Sequence, residues 1–100
     1  MRNPRNADSR STLALLSARL GDTGRAESEI NQALRMDPES VDVMRDAVFT
    51  YEILQERQRT LDVLRNAPVY LLERLNREPD FRDLQKDVQF QELIHKKSTQ

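Results

Sequence analysis

The chain repeats itself at a spacing of 34 residues, and this constrains its fold more than any other feature. Residues 7–40 (ADSRSTLALLSARLGDTGRAESEINQALRMDPES) laid over residues 41–74 (VDVMRDAVFTYEILQERQRTLDVLRNAPVYLLER) bring small or apolar residues together at Leu13/Ala47, Ala14/Val48, Ser17/Tyr51, Leu20/Leu54, Ile30/Leu64 and Ala33/Ala67, with Leu16/Thr50 an imperfect match. A period of this length marks a supersecondary unit that cannot bury its apolar side alone and stacks on a neighbour.

Local signals make each unit a pair of helices. Leu13, Leu16 and Leu20 share one helical face. Gly21 can take a positive φ and end that helix, and Asp22 or Thr23 can cap the next. Ala26, Ile30, Ala33 and Leu34 form an inner stripe whose alanines allow close helix approach. Pro38 disfavours helix at Asp37, and Ser40 caps a third helix with Asp42 in its first turn. Gln55 aligns with Gly21 and is expected in the left-handed region despite its Cβ. With 5% aromatic residues and two glycines, the chain has little material for strands and tight hairpins.

The tail departs from the period. Pro68 is placed as a first helical residue, Val69, Leu71, Leu72 and Leu75 follow at helical spacing, and Glu78-Pro79 ends that stretch. Phe81, Leu84, Phe90 and Leu93 then read as a lid over the apolar end of the stack. The expected organisation is a flexible tail at 1–6, unit one at 7–40, a degenerate unit two at 41–74 running into a capping helix, and a lid with a frayed end at 75–100, the fraying from His95 onward.

Unit one resembles a tetratricopeptide repeat. Leu13, Ala14, Gly21, Ala26, Ile30, Ala33 and Pro38 occupy that family's signature places, while Arg10 stands where it has an aromatic residue and Ser17 where it has Tyr. Unit two fits at Ala47, Val48, Tyr51, Leu64 and Ala67 and departs at Gln55, Thr60 and Leu72, which replace Gly, Ala and Pro. Pro79, Asp80, Phe81, Leu84, Asp87, Phe90 and Leu93 resemble the closing segment of bacterial arrays of this family, which often stand at the C-terminus of membrane-tethered Ser/Thr kinases, adenylate cyclases and winged-helix regulators. The resemblance implies an all-α, right-handed α-α superhelix of two hairpins plus C-terminal capping helices, five or six helices in all.

The same resemblance implies a non-catalytic module that binds another protein or peptide, as the C-terminal part of a larger bacterial protein. Two alternatives stand beside it: a homodimerisation module, and a sensory or regulatory accessory to a kinase or transcription regulator. The family's groove positions fall on Asp8, Ser11, Leu15, Ala18 and Arg19, then Asp42, Arg45, Phe49, Glu52 and Ile53. Of these, Ser11, Leu15, Arg19, Arg45, Phe49, Glu52 and Ile53 are the expected partner-binding residues, with Leu15, Phe49 and Ile53 as apolar anchors. The family's clamp for acidic chaperone tails needs Lys and Asn where this chain has Ser11 and Leu15, and Asn where it has Asp46, so that mode is not expected.

Other chemistry finds little support. His95 is the single histidine and there is no cysteine, so no metal or other cofactor is expected. The carboxylates lie on amphipathic stretches and read as solvated faces, Glu52 and Glu56 forming an unfavourable like-charge pair unless Arg57 or Arg59 intervenes. Asp22-Thr23-Gly24 lies between helices and reads as a turn rather than as part of a protease site. A net charge of −1 with both signs interspersed argues against nucleic acid. No run of about 18 apolar residues is present, so no direct membrane insertion is expected. The lack of cysteine fits either side of a bacterial inner membrane; the cytoplasm is favoured over the periplasm.

Overall fold

The computed structural model describes residues 4–99, all of whose regular elements are helical. In order these are α1 (Pro4–Arg19), α2 (Thr23–Met36), α3 (Val41–Ile53), α4 (Arg57–Arg65), α5 (Val69–Leu75), a 3-10 turn (Pro79–Phe81), α6 (Arg82–Gln85) and α7 (Val88–Ser98). The chain is all-α, with seven α-helices among the described residues rather than five or six. The difference lies in the lid, which Pro68 and Pro79 divide into short pieces.

The 34-residue period is carried by the backbone. At the end of α1, the N–H groups of Leu20, Gly21 and Asp22 donate to the carbonyls of Leu16, Ala18 and Ser17 at 3.0, 3.1 and 2.9 Å. At the end of α3, Leu54, Gln55 and Glu56 donate to Thr50, Glu52 and Tyr51 at 3.0, 3.1 and 2.8 Å, each pair displaced by one period. This closing turn needs one residue at positive φ. Gly21 supplies it at 85° and Gln55 at 60°, Gln55 being the one non-glycine residue with positive φ among those described. The caps also follow the sequence: the Asp22 side chain accepts from Arg25 N and the Ser40 side chain from Val43 N.

Packing follows the alanines. Ala14, Ala26, Ile30, Ala33 and Ala47 are fully buried, and α3 packs against both α1 and α2. Val43 clusters with Ala7 and Ala33, and Ala47 and Tyr51 cluster with Ala14 and Ile30, joining unit two to unit one. The largest cluster lies beyond them, where Met44, Val48, Leu61, Leu64, Leu71, Leu72 and Leu75 meet Phe81, Leu84 and Phe90.

Three boundaries differ from expectation. Of the segment read as a flexible tail, residues 1–3 lie outside the described residues, but α1 already begins at Pro4, whose missing N–H costs nothing in a first helical turn. Pro68 precedes α5 as its extended cap residue, with ψ 153°, rather than opening the helix. The end read as frayed from His95 is helical to Ser98. There His95, Lys96 and Lys97 suit the negative end of α7, and Lys97 Nζ donates to the Arg65 carbonyl at the end of α4, 2.9 Å away. Gln100 lies outside the described residues.

Candidate docking cleft

Four of the expected partner-binding residues meet in one cleft of about 320 Å³. Arg19 comes from the end of α1, and Phe49, Glu52 and Ile53 from one side of α3. The lid supplies the opposite wall through Asp80 and Phe81 of the 3-10 turn and Asp83 and Leu84 of α6. Their spacing on α3, at intervals of three and four residues, places Phe49, Glu52 and Ile53 on one helical face.

The floor is aromatic. The Phe49 ring meets the Phe81 ring at a centroid distance of 4.5 Å and an interplanar angle of 52°, a tilted arrangement suited to the ring quadrupoles. Phe81 is buried and Phe49 half-buried, so Phe49 holds the lid as well as facing the cleft. Ile53 remains 42% exposed at the rim.

Glu52 is tied from beneath. It accepts from Arg57 Nη2 at 2.7 Å, from Arg57 Nε at 2.9 and 3.1 Å, and from Thr60 Oγ1 at 2.8 Å. Arg57 uses Nη1 to reach Asp87 Oδ2 at 2.9 Å, so one guanidinium links α3 to the lid. Glu56 pairs instead with Arg59 at 3.5 Å, which separates the two like charges between different arginines. Burial pushes the Asp87 carboxyl up, but the Arg57 bond and the backbone N–H groups of Gln89 and Phe90 outweigh it and leave it below its ordinary value. With Glu52 neutralised, the charges at the cleft rim are the exposed Arg19 on one side and the exposed Asp80 and Asp83 on the other, and none of these three makes an ion pair among the described residues.

The remaining expected residues stand elsewhere. Ser11 must be corrected: it is fully buried, donating to Asp46 Oδ2 at 2.7 Å and to the Asp8 carbonyl at 3.0 Å, and so bonds unit one to unit two rather than facing a partner. A hydroxyl with a carboxylate one helix away fits an internal tie. Leu15 is half-buried on α1 and does not line the cleft. Arg45 is half-buried, and its Nε has no hydrogen-bond partner among the described residues. Of the other groove positions, Ala18 is buried while Asp8 and Asp42 are exposed.

Sequence reasoning missed the lid's share of the cleft. Asp80 and Phe81 were legible as part of a closing pattern, but no periodicity places that pattern opposite α3, and Asp83 lies outside it. A second hollow of about 380 Å³, lined by Leu34, Pro38, Met44, Tyr51, Arg59, Asp62, Val63 and Asn66, was also unforeseen. It is a seam between the units, bridged at its edge by Arg59 to Glu27 at 3.2 Å and by the Tyr51 hydroxyl donating to Asn31 Oδ1 at 2.5 Å.

Among the described residues there is no group of three or more His, Cys, Asp or Glu able to hold a metal ion, and no helix long and apolar enough to cross a membrane. Fold and cleft together define an all-α protein among the described residues. Comparison with family models, curated proteins and solved structures returns no match to this chain.

Proposed function

We propose that this chain is a non-catalytic protein-docking module of the tetratricopeptide type, and that the cleft between α3 and the lid takes a segment of another protein. The observation that carries this reading is the convergence of Arg19, Phe49, Glu52 and Ile53 with the lid's Asp80 and Asp83 around an aromatic floor. The 34-residue recurrence of turn hydrogen bonds and of buried positions supports the repeat reading and, with it, the right-handed superhelical stack that the family implies.

The cleft favours a partner of definite chemistry. An apolar side chain seats on Phe49, Phe81 and Ile53. Asp80 and Asp83 outnumber Arg19, so a Lys or Arg close to that apolar residue completes the fit. Selection from a displayed random-peptide library on the immobilised chain tests this. Enriched peptides should combine an apolar anchor with a neighbouring basic residue. No enrichment over a blank surface, or enrichment of acidic peptides, would count against the reading.

A further inference from the structure

The cleft between α3 and the lid carries opposite charges on its two sides. Arg19 stands on the α1 side and Asp80 and Asp83 on the lid side, with Phe49 and Ile53 of α3 in the same lining. These three charged residues are exposed, and none makes an ion pair among the described residues. Glu52, the other charged residue of the lining, is held by Arg57 and Thr60. Arg82 lies between the two aspartates in sequence but does not line the cleft.

Elsewhere in the molecule opposite charges within reach of each other do pair, as Arg10 does with Glu29 and Arg57 with both Glu52 and Asp87. At the cleft they stand apart. A segment of one charge sign would satisfy one side and be repelled by the other. A segment that carries both signs meets both sides at once.

The arrangement of the elements fixes how such a segment lies. α1 packs against α3, and the lid meets α3 through the contact of Phe81 with Phe49. Packed helices lie about 8–10 Å apart, so a path from α1 across α3 to the lid covers about 16–20 Å. Side chains reaching in from both ends take up part of that span. At about 3.3 Å per residue, an extended segment whose opposite charges are about three to five residues apart covers the rest.

We infer that the cleft takes a bipolar protein segment that crosses α3, with an acidic residue on Arg19, an apolar residue on Phe49 and Ile53, and a basic residue on Asp80 and Asp83. This rests on the docking reading above. It adds to that reading the acidic residue, its place on the far side of the apolar anchor from the basic one, and the crossing of α3.

Paired selections from one displayed random-peptide library, on the native chain and on R19E, test the inference. Peptides from the native chain should carry Asp or Glu on one side of the apolar residue and Lys or Arg on the other. Selection on R19E should exchange the acidic residue for a basic one and leave the rest of the pattern in place. Arg19 is exposed and unpaired, so R19E should stay folded, which a thermal melt checks. R19Q adds no negative charge to the end of α1 and gives a second check: there the acidic preference should disappear rather than invert. In solution, replacing the acid of a bipolar peptide by Lys should weaken its binding to the native chain, and strengthen its binding to R19E, by at least about fivefold each. Native-chain peptides that combine apolar and basic residues without the acid would overturn the inference and leave the docking reading standing. An acidic preference that survives both R19E and R19Q would also overturn it, because the acid would then meet some other group. No enrichment on the native chain would remove the docking reading and this inference together.

Discussion

The two units obey one period and end in opposite circumstances. Unit one keeps the pattern residues Gly21, Ala26 and Pro38 and is open on its outer side; unit two has lost all three and is closed by the lid. The losses have structural counterparts. Thr60, in the place of Ala26, is fully buried and donates to Glu52, the carboxylate that Arg57 ties to the lid. Leu72, in the place of Pro38, is fully buried in the cluster that Phe81, Leu84 and Phe90 complete. Residues that depart from the repeat are those that connect it to its cap. Gln55 is the exception: it is exposed, keeps the turn of Gly21 at φ 60°, and nothing in the structure offsets the strain of a side chain there.

The sharpest way to break this contrast is to open the closed end. Phe90 is fully buried among lid and unit-two residues, so Phe90→Ala should cost about 3–5 kcal/mol. Chemical denaturation reads the loss directly, and a loss under about 1 kcal/mol would mean that the lid is not part of the folded core.

Overpacking the joint between units comes next. Ala33 is fully buried beside Ala7 and Val43, and Ala33→Leu should cost about 1–3 kcal/mol. An unchanged midpoint would put the close approach of α2 and α3 somewhere else.

The turns sharpen the comparison at smaller magnitude and with opposite signs. Gln55→Gly should stabilise the fold by about 0.5–1 kcal/mol, the relief of left-handed strain exceeding the added freedom of the unfolded chain. Gly21→Ala should destabilise it by about 0.5–1 kcal/mol, the left-handed strain less the reduced freedom of the unfolded chain, with no steric contribution because a Cβ at Gly21 meets no atom within 4 Å. Thermal melts of both variants check the pair, and the same sign in both would contradict the equivalence of the turns.

The smallest effect concerns acid. The folded Asp87 carboxyl lies below its ordinary value of 3.8, so its contribution is fully present above that value and is lost as pH falls through the folded one. Asp87→Asn keeps a capping side chain but loses the ion pair with Arg57, and should cost under about 1 kcal/mol at neutral pH. Its penalty should shrink as pH falls through the folded value, where a protonated Asp87 no longer pairs with Arg57. A penalty independent of pH would assign the loss to packing.

Much of the fold was legible because its signals are local and repeated. Gly21, Asp22, Ser40 and the alanines each act within a few residues, and the period fixes how one unit lies on the next. Helix ends were less legible: the start at Pro4 rests on a missing N–H that costs nothing there, and the extension to Ser98 on basic residues at the end of α7 and a tertiary bond from Lys97, rather than on apolar spacing. For the cleft, α3's contribution followed from carrying groove positions onto Phe49, Glu52 and Ile53. Asp80 and Asp83 did not, because their place depends on how the lid folds back. Ser11 was misread for a related reason. Its position in the repeat faces a groove in the family pattern, but Asp46 on the neighbouring helix draws its hydroxyl inward.

Ile53 faces the cleft without holding the lid, so its replacement reads docking most directly. Titration of a selected apolar-basic peptide by fluorescence anisotropy, into the native chain and into Ile53→Asp, measures its share. The expected result is at least about a tenfold loss of affinity, or about 1.4 kcal/mol, with the melting temperature unchanged. Equal affinity for both chains would contradict it and place the bound peptide elsewhere on the molecule.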